Sequence, residues 1–564
     1  MKEAFFKAAR FYRRHGLKRF LVHLYRTLFN VEIDYEKWLK NITPGKSQFE
    51  AQRRELFARN ILFSIVCETF TFTREQLEAL EGQTYMNWEI IKESSQDCLN
   101  RNTGTISSEI ATALNDVVSQ TKGEYVIFLR RGSIPSPDAL YEFARVIETS
   151  GNVGVIYSDE DAIEENGRHC SPKLKPDFNL DMLRSTDYIS SMFAVSRESF
   201  NNAGGFSQGA GEAVFYELLL KLYEGNPVIF HVPKILNHDS SIRSDDDRSL
   251  ALNDHVEVLK HHYARTGIAA TVNIEKCGML RTRYEIHGSP LVSIIIPNKD
   301  HVEDLSKCLD SIFEKSAYRN FEVLIIENNS SLGSTFEYYD EVVEKHENVR
   351  VIEWVGEFNY SAINNFGAKH AKGDYLLLLN NDTELLDGDS ITELLRHSMR
   401  PEIGVVGAKL LYGDDTVQHA GVIIGMGGIA GHVFTGLPDD ECGYMCRAEC
   451  TQNYSAVTAA CMMTKKSVFD SVGGFSEDLK VAFNDIDYCL KVRESGKLLV
   501  YSPYARLYHH ESKSRGQEDT KAKVRRFNQE ISSFRNKWPD ILINGDPCYN
   551  LNLTLEKSDF SLRE

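Results

Sequence analysis

A run of amide and acidic side chains follows an apolar stretch in the sequence GDYLLLLNNDTELLD, residues 373–387. Asn380, Asn381 and Asp382 come directly after four leucines. A carboxylate at the end of a hydrophobic strand is costly to bury alone, so we expect Asp382 to have a partner. A divalent cation such as Mg²⁺ or Mn²⁺ needs few protein oxygens when phosphate groups supply the other ligands. Asp382 is therefore a candidate metal ligand, and a plain turn or helix cap is the alternative.

Further side chains with useful chemistry follow in the segment NDIDYCLKVRESGKLLVYSPYARLYHH, which begins at residue 484. Asp485 and Asp487 open a predicted helix, where a carboxylate can serve as a general base. His509 and His510 follow a predicted strand, and imidazole binds both metal ions and phosphate groups. For each of the four residues, a capping or packing role is the alternative. Their appearance in this order favours one shared site.

An earlier stretch repeats the first pattern without its carboxylate. GEYVIFLRRGSIPSP, residues 123–137, has the same glycine, acid, tyrosine and apolar strand. Gly132 stands in the place of Asp382, after Arg130 and Arg131. The two stretches are 250 residues apart (373 minus 123). This separation is too long for a solenoid repeat, so it indicates a duplicated domain.

Four more pairs of segments match in the same order along the two halves. ILFSIVCETF matches PLVSIIIPNK, NWEIIKESSQD matches NFEVLIIENNS, VGVIYSDED matches IGVVGAKLL, and SRESFNNAGGFS matches TKKSVFDSVGGFS. Strands rich in Ile, Val and Leu alternate with helical stretches, which predicts α/β units with mainly parallel sheets. Ligands bind such sheets beyond the carboxyl ends of the strands. This rule adds four candidates at or beside predicted strand ends: Pro297, Asn298, Glu327 and Asn365.

Composition limits the class of protein. A chain of 564 residues is too long for one core, and we expect two to four domains. The net charge of -17 argues against nucleic acid as a partner. The 11 cysteines have no framework spacing and fit a reducing compartment. No apolar run is long enough to span a membrane and no signal sequence opens the chain, so we expect a cytoplasmic protein.

The first residues depart from the acidic composition. MKEAFFKAARFYRRHGLKRFLVHLYR, residues 1–26, holds eight Lys or Arg and one Glu. Its apolar residues fall on helical faces, and basic amphipathic helices of this kind lie on anionic membrane surfaces. We therefore expect peripheral association with the inner face of the plasma membrane. The alternative is a pair of helices that packs on the rest of the protein with a solvated basic face.

The ordered motifs of the second half resemble a known family. SIIIPNKD, FGAKHAKGDYLLLLNNDTE, VGGFSEDLKVAFNDIDYCLK and YHHESKSRG, between residues 291 and 516, are similar to those of family-2 inverting glycosyltransferases of the GT-A fold. The resemblance implies two tandem GT-A domains, each a nucleotide-binding α/β unit with a mixed, mainly parallel sheet. The expected parts are a basic amphipathic helical segment at 1–55, a degenerate copy at 56–285, a catalytic copy at 286–520, and a C-terminal helix with a polar tail at 521–564.

The same resemblance implies roles for the candidate residues. Asp382 would bind Mn²⁺ or Mg²⁺ as in the family's D-x-D motif, although Asn380 stands where the family has its first Asp. His509 would contact the metal or the diphosphate, with His510 as the alternative. Asp485 would be the catalytic base. A second acidic residue of the same helix, two positions later, is a weaker candidate.

The strand-end residues would bind the nucleotide-sugar. The predicted set is Pro297, Asn298, Glu327, Asn365, Asn380, Asn381 and Asp382. Glu327 replaces the Asp that the family usually has at the base-recognition strand. The stretch QHAGVIIGMGGIAGHVF, residues 418–434, is expected to form part of the acceptor loop.

The first copy has lost most of these groups, so we expect it not to catalyse but to pack on its partner domain, orient it, or grip a long acceptor. In order, the places of Pro297, Glu327, Asp382, Asp485, Asp487 and His509 are taken by Glu68, Ser94, Gly132, Phe215, Glu217 and His238. The acidic stretch 159–161 is either a cation site or a solvated turn. The hypothesis for Arg130 and Arg131 is that they bind an anionic acceptor such as a lipid diphosphate.

Similarity to tandem bacterial proteins implies a rhamnosyltransferase that extends a surface polysaccharide. The expected donor is a nucleotide-sugar, dTDP-rhamnose first and a UDP-hexose as the alternative, and the expected acceptor is a lipid-linked or polysaccharide glycan. A homodimer is a further expectation to test. A nucleotidyltransferase would need a Gly-rich phosphate loop, which SIIIPNKDH lacks. A carbohydrate-binding scaffold without activity would fit the first copy but not the second.

Three cysteines have helical spacing: Cys442, Cys446 and Cys450. Zinc sites usually contain the closer pair C-x-x-C, so local packing is the main expectation and a metal site is the alternative.

Overall fold

A computed structural model describes residues 33–91, 110–189, 191–241, 245–510 and 520–564. Most of the predicted basic amphipathic segment lies outside these residues, and so does Ser94. In the part of the chain that the structure describes, no helix has the length and apolar character needed to span a membrane.

The first domain is built on an eight-stranded mixed sheet. Its strands are β1 Phe63–Cys67, β2 Trp88–Ile90, β3 Tyr125–Leu129, β4 Ser133–Pro135, β5 Val155–Ile163, β6 His169–Lys173, β7 Met192–Ser196 and β8 Ile229–Asp239. They lie in the order β2-β1-β3-β7-β5-β8-β4, with β6 beside β5. A separate hairpin, β9 Ala270–Ile274 and β10 Leu280–Tyr284, follows this sheet in the chain.

The second domain is built on a ten-stranded mixed sheet. Its strands are β11 Val292–Asn298, β12 Phe321–Glu327, β13 Val349–Glu353, β14 Tyr375–Leu379, β15 Thr383–Leu385, β16 Ile403–Leu411, β17 Val417–His419, β20 Gln452–Asn453, β21 Cys461–Lys465 and β22 Leu498–His509. Two short strands, β18 Val422–Ile424 and β19 Ala430–His432, form their own ladder. The main order is β13-β12-β11-β14-β21-β16-β22-β15.

Helices cover these sheets. In the first half they are α1 Tyr35–Ile42, α2 Lys46–Arg54, α3 Arg74–Glu81, α4 Ile110–Gln120, α5 Ala139–Ser150, α6 Leu180–Ser185, α7 Arg197–Asn202, α8 Val214–Glu224 and α9 Asp245–Thr266. In the second half they are α10 Val302–Lys315, α11 Gly333–Lys345, α12 Tyr360–His370, α13 Ser390–Ser398, α14 Lys466–Ser471, α15 Asn484–Glu494, α16 Lys521–Lys537 and α17 Pro539–Asn544. The central strands are rich in apolar residues, as expected for strands covered on both faces, and every residue of β14 is buried.

The two sheets have one topology. Seven strands of the first, in the order β2-β1-β3-β7-β5-β8-β4, correspond one to one with β12-β11-β14-β21-β16-β22-β15 of the second. The parallel and antiparallel pairings also agree, since β8 and β22 each run parallel to one neighbour and antiparallel to the other. This agreement confirms the predicted fold class of two tandem mixed α/β units.

A glycine that opens the repeated motif explains why both copies keep it. Gly373 donates its backbone N–H to the Ser293 hydroxyl at 2.8 Å, and Gly123 does the same to Ser64 at 2.8 Å. A Cβ atom at Gly373 would lie 2.4 Å from the carbonyl oxygen of Leu291. The backbone at residue 373 can therefore approach Leu291 this closely only because glycine has no side chain.

The C-terminal residues do more than form the predicted polar tail. Leu553 and Phe560 are buried among apolar residues of the second domain. The amide of Asn550 crosses to the first domain, where it donates to both carboxylate oxygens of Asp159 at 3.0 and 2.8 Å. The segment after α17 therefore contacts both domains.

Buried polar contacts also join the domains directly. The Asp181 carboxylate of α6 accepts hydrogen bonds from Arg400 at 2.5 Å and from the Asn453 side chain at 2.7 Å. Asn179 exchanges a second pair of bonds with the Asn453 backbone, at 2.8 and 2.9 Å. Burial raises the pKa of Asp181, but the guanidinium groups of Arg400 and Arg184 outweigh it and lower this pKa to about 2.

We expect Asp181→Asn to lower the free energy of unfolding by about 3–5 kcal/mol, because it leaves the Arg400 charge buried without its partner. Ionisation of Asp181 stabilises the fold fully above its unfolded pKa of about 3.9, and this contribution is lost as the pH falls towards the folded value. The difference between wild type and variant should therefore be constant above about pH 4 and narrow below it.

Denaturant unfolding at several pH values measures this difference. The control is Glu124→Gln, which breaks the exposed ion pair between Glu124 and Arg59 and should change stability by less than about 1 kcal/mol. Equal effects of the two variants would contradict a structural role for the buried pair.

Candidate functional site

The last strand of the second sheet brings a histidine beside the predicted metal ligand. β22 pairs antiparallel with β15, and this register sets His509 opposite Thr383, the residue after Asp382. The imidazole Nε2 of His509 lies 3.2 Å from Oδ1 of Asp382. Their side chains are 10% and 12% exposed, so the pair is mostly removed from water while one side stays open.

A glutamine that we did not predict fixes the state of this histidine. Oε1 of Gln418 lies 2.6 Å from Nδ1 of His509, and its Nε2 donates to the His509 carbonyl at 3.3 Å. An amide oxygen can only accept, so Nδ1 of His509 carries a proton. Nε2 lies near both the Asp382 carboxylate and the Asn380 amide nitrogen, and its approach to the carboxylate is favourable only with a cation or a proton between them. The donor set therefore fits a divalent metal ion.

An amide and a tyrosine extend the site from Asp382 and His509. The Asn380 side chain donates to Nε2 of His509 at 3.2 Å, which orients the amide oxygen towards Tyr360. The Tyr360 hydroxyl lies 3.2 Å from that oxygen and 3.2 Å from the carbonyl of Ala459. The backbone N–H of Asn380 also donates to the carbonyl of residue 460, which follows Ala459. Hydrogen bonds from the Asn380 side chain and from its backbone therefore both fix the end of β14.

The predicted base reaches the same backbone segment from the other direction. Asp485 is half-buried in the first turn of α15, and its Oδ2 accepts from the backbone N–H of Ala459 at 3.2 Å. Its Oδ1 accepts from the N–H of Ile486 at 2.9 Å. The N-terminus of a helix favours a negative charge at this position. Ala459 thus connects the carboxylate of Asp485 to the Tyr360 hydroxyl and, through it, to the amide of Asn380.

A second group of strand-end residues lies at the ends of β11 and β12. Glu327 is buried, and its Oε2 accepts from the hydroxyls of Ser330 at 2.7 Å and Tyr339 at 2.6 Å. The Asn298 side chain donates to the same Tyr339 oxygen at 2.8 Å and accepts from the Asn381 amide at 2.6 Å. Burial and the nearby Glu327 carboxylate raise the pKa of Tyr339, so its hydroxyl stays protonated. Asn381 therefore links this group to the neighbouring Asp382.

Four predicted site residues lie outside both groups or bond elsewhere. The side-chain amide of Asn365 forms two hydrogen bonds with the backbone of Phe475, at 2.9 and 2.8 Å. In the first copy, Asn115 bonds the backbone of Phe206 in the same way. The repeat of this contact in a copy without the catalytic residues shows that it serves the fold. Pro297 is half-buried within β11, one residue before Asn298 in the register with β12.

The two weaker candidates have other partners because of where their side chains point. Asp487 is completely buried, and its oxygens accept from Trp538 at 2.9 Å and Ser476 at 2.6 Å. It therefore anchors the C-terminal helices. His510 follows His509 on β22, and alternation along the strand turns its ring to Glu384, 3.5 Å away.

The first copy lacks the metal-ligand pair at the corresponding positions. Gly132 takes the place of Asp382 with a φ of +84°, and a Cβ there would lie 2.8 Å from the Ser241 nitrogen. β8 sets Asp239, not His238, opposite Ser133. Matching His238 with His509 is therefore wrong by one residue, because Ser133 corresponds to Thr383 in the repeated motif.

Other positions of the first copy are filled by packing and ion pairs. Phe215, in the place of Asp485, is fully buried in an aromatic cluster. Arg130, in the place of Asn380, forms an ion pair with Asp187 at 3.0 Å and is 11% exposed. The hypothesis that Arg130 and Arg131 bind an anionic acceptor requires both side chains to be accessible. Arg130 is not accessible, whereas Arg131 is exposed.

The cysteines pair differently from the spacing-based expectation. Cys442 forms a disulfide with Cys277, and the sulfur of Cys446 lies within 4.8 Å of both. Cys450 is buried apart from them, with its sulfur on the carbonyl of Thr451. The three cysteines of the motif therefore do not form one ligand set.

Comparison with known proteins places this geometry in a family. Residues 293–473 match the family model described as glycosyl transferase family 2. An uncharacterized protein of Sinorhizobium fredii is 37% identical over 86% of this chain, and an O-antigen biosynthesis protein of Myxococcus xanthus is 34% identical over 94%. Because both matches cover most of the chain, the two-domain arrangement recurs in other proteins. This chain spans 56% and 43% of those relatives' lengths, about half in each case.

A third relative matches a smaller part. The N-acetylglucosaminyl-diphospho-decaprenol L-rhamnosyltransferase of Mycobacterium tuberculosis is 24% identical over 41% of this chain and 78% of its own length. The matches agree with the motifs between residues 291 and 516 and with the duplicated mixed sheets. The segment that matches the glycosyl transferase family 2 model therefore lies in the second of the two α/β units.

Proposed function

We propose that the second domain is a metal-dependent inverting glycosyltransferase. It transfers a sugar from a nucleoside-diphosphate donor to a hydroxyl group of a polysaccharide or lipid-linked glycan in the synthesis of a cell-surface polysaccharide. The observation that carries this proposal is the imidazole Nε2 of His509 lying 3.2 Å from the Asp382 carboxylate, at the carboxyl end of β14. The family match and the relative named for O-antigen biosynthesis support it.

Asp382 and His509 are the residues that would hold Mn²⁺ or Mg²⁺. When bound, the cation stabilises the negative charge that develops on the departing diphosphate. Gln418 keeps the imidazole in the tautomer that binds a metal, and Asn380 helps fix the orientation of the ring. The strand-end group of Asn298, Glu327 and Asn381 is the proposed contact for the nucleoside, with Tyr339 and Ser330 holding the Glu327 carboxylate in place.

Asp485 is the proposed catalytic base. An acceptor hydroxyl is a weak nucleophile, and a carboxylate in hydrogen-bond reach can remove its proton as the oxygen attacks the anomeric carbon. Attack from the side opposite the diphosphate inverts the configuration at that carbon. The N–H groups of Ala459 and Ile486 hold Asp485 in a fixed orientation, which keeps the carboxylate directed while its charge changes.

The donor sugar and acceptor class follow from the resemblance and from one relative. We propose L-rhamnose from dTDP-rhamnose, with a UDP-hexose as the alternative, because the relative from Mycobacterium tuberculosis is named as an L-rhamnosyltransferase acting with a diphospho-decaprenol. An acceptor on such a lipid would require the protein to work at the inner face of the plasma membrane. The basic segment 1–26 is the proposed attachment, and a homodimer is tested by mass measurement in solution.

The first test is a turnover screen of nucleotide-sugars with Mn²⁺ or Mg²⁺ that follows release of dTDP or UDP on a lipid-linked acceptor mixture. We expect wild type to consume one donor and Asp382→Ala, His509→Ala and Asp485→Asn to lose at least about 100-fold in kcat. His510→Ala is the matched control for His509→Ala and should keep its activity, because its ring contacts Glu384.

Two outcomes would contradict the proposal. Full activity in the Asp382→Ala and Asp485→Asn variants would move the chemistry away from the second domain. No turnover of any donor by wild type with either metal would favour the scaffold without activity.

Gln418 provides a test of the tautomer. Gln418→Leu removes the acceptor for the Nδ1 proton, and we expect the Mn²⁺ concentration for half-maximal activity to rise about 10–100-fold. Gln418→Glu keeps an acceptor oxygen, so it should retain more of the metal affinity than the leucine variant. Titration of activity with Mn²⁺ at saturating donor measures both. Equal metal dependence in all three proteins would show that Gln418 does not act through His509.

A further inference from the structure

Two histidines and an aspartate converge in the first domain, away from the residues that correspond to the catalytic site. The Asp161 carboxylate is completely buried, and its two oxygens face different imidazoles. Nδ1 of His238 lies 2.5 Å from Oδ1, and Nδ1 of His169 lies 2.9 Å from Oδ2. The two rings stand edge to face with centroids 4.7 Å apart.

The sheet itself positions these residues. Asp161 of β5 and His238 of β8 are partners in a parallel register, so their side chains leave the same face of the sheet. His169 opens β6 in the hairpin with β5, where it pairs with Ile163, two residues after Asp161. Side chains alternate along β8, so His238 and Asp239 point to opposite faces of the sheet. Asp239 is the residue that occupies the position of His509 in the register of the second sheet. The cluster is therefore on the opposite face from the lost catalytic position.

The other two acidic residues of the stretch 159–161 bind other partners. Asp159 accepts from His231 at 2.8 Å and from the Asn550 amide. Glu160 forms ion pairs with Lys173 at 2.8 Å and Lys175 at 3.0 Å. Burial raises the pKa of Glu160, but the two lysines outweigh it and lower this pKa to about 2. Asp161 is the member of the three whose two oxygens each face an imidazole.

A tyrosine of the first helix completes the surroundings of Asp161. The Tyr35 hydroxyl donates to Oδ2 of Asp161 at 2.7 Å. Burial and the Asp161 carboxylate raise the pKa of Tyr35, so the phenol remains a donor. In metal sites, a carboxylate ligand is commonly oriented by a hydrogen bond from a neighbouring side chain. The His169 and His238 side chains are 29% and 15% exposed, so both rings are in contact with solvent.

We propose that Asp161, His169 and His238 bind a transition-metal ion, with Zn²⁺ as the expected occupant. Their ligand atoms all lie within 4.8 Å of one another. Tetrahedral zinc at about 2.0–2.2 Å from each ligand separates ligand atoms by roughly 3.3 Å. The present contacts of 2.5 and 2.9 Å are shorter than this spacing, so both imidazoles would have to move away from Asp161, by up to about 0.8 Å, to admit the ion. Two imidazoles with one carboxylate select zinc over Mg²⁺ or Ca²⁺, which prefer oxygen ligands.

The proposed ion stabilises the attachment of α1 to the first domain. Tyr35 reaches the site from that helix, and Trp38 of the same helix donates its indole N–H to the carbonyl of Arg563 at 2.8 Å. One helix thus contacts both the β5–β6–β8 face and the C-terminal segment. A metal on Asp161 would hold this junction, which directly follows residues 1–32 in the chain. Its role is structural and does not depend on transfer activity.

The test uses the full chain after removal of metal with a chelator. The protein is equilibrated with excess Zn²⁺, dialysed, and analysed for bound zinc by mass spectrometry. We expect His169→Gln and His238→Gln each to bind one equivalent less than wild type. His287→Gln, a change of an exposed histidine in a loop, is the matched control and should bind as much as wild type. Because stoichiometry is compared between variants, zinc at the Asp382–His509 pair or at cysteines cancels.

Cobalt substitution gives an independent readout. Co²⁺ at the site should show visible d–d absorption without the near-ultraviolet charge-transfer band of thiolate ligands, and both glutamine variants should lose it. Asp161→Asn, which keeps the shape of the carboxylate, is the second variant if either histidine change prevents folding. Equal zinc content in wild type and all three variants would overturn the proposal and leave the cluster as a set of hydrogen bonds.

Discussion

The pairing of the last strand of each sheet with two neighbours is the constraint on which both domains depend. β22 runs parallel to β16 over most of its length and then antiparallel to β15, which follows the motif strand β14 after a short turn. This double pairing fixes which residue of β22 lies opposite Thr383, and hence which side chain meets Asp382. A shift of one residue would present Tyr508 or His510 in place of His509, because successive side chains alternate between faces. In this fold, the catalytic geometry is a consequence of strand register.

Duplication preserved that register while the chemistry changed. β8 pairs with β5 and β4 as β22 does with β16 and β15, so the first copy keeps the frame of a metal site. Gly132 and Asp239 occupy the two ligand positions, and a glycine with an aspartate cannot repeat the carboxylate–imidazole pair. The same register brings Asp161 and His238 together on the opposite face of these strands.

The sequence predicted the parts of the site that belong to repeated, ordered motifs. Asp382 and His509 lie at strand ends, so the rule that strand ends meet at one edge predicts the contact between them that the structure shows. Gln418 and Tyr360 were not predicted, because an ordinary polar residue far away in sequence gives no sign of its partner. Gln418 could have been found only through the predicted acceptor loop, of which it is the first residue.

The errors have equally specific causes. Asn365 was predicted as a strand-end residue, and the structure places it within α12, where its side chain bonds the Phe475 backbone. His238 was matched with His509 by its histidine side chain, and the register shows Asp239 there. The C-terminal residues have a polar sequence, yet the few apolar ones, Leu553 and Phe560, are enough to dock the segment between domains. Fold class is set by many weak signals, whereas single contacts are set by geometry.

The central claim is that one metal ion binds His509 and the donor's diphosphate together in the second domain. Pulsed electron paramagnetic resonance of Mn²⁺ with dTDP and the full chain tests it directly. We predict that the same ion shows coupling to ³¹P of the nucleotide and to ¹⁴N of a coordinated imidazole, and that His509→Ala removes the nitrogen coupling. Nitrogen coupling that persists in His509→Ala, or phosphorus coupling in wild type without any nitrogen coupling, would contradict the account.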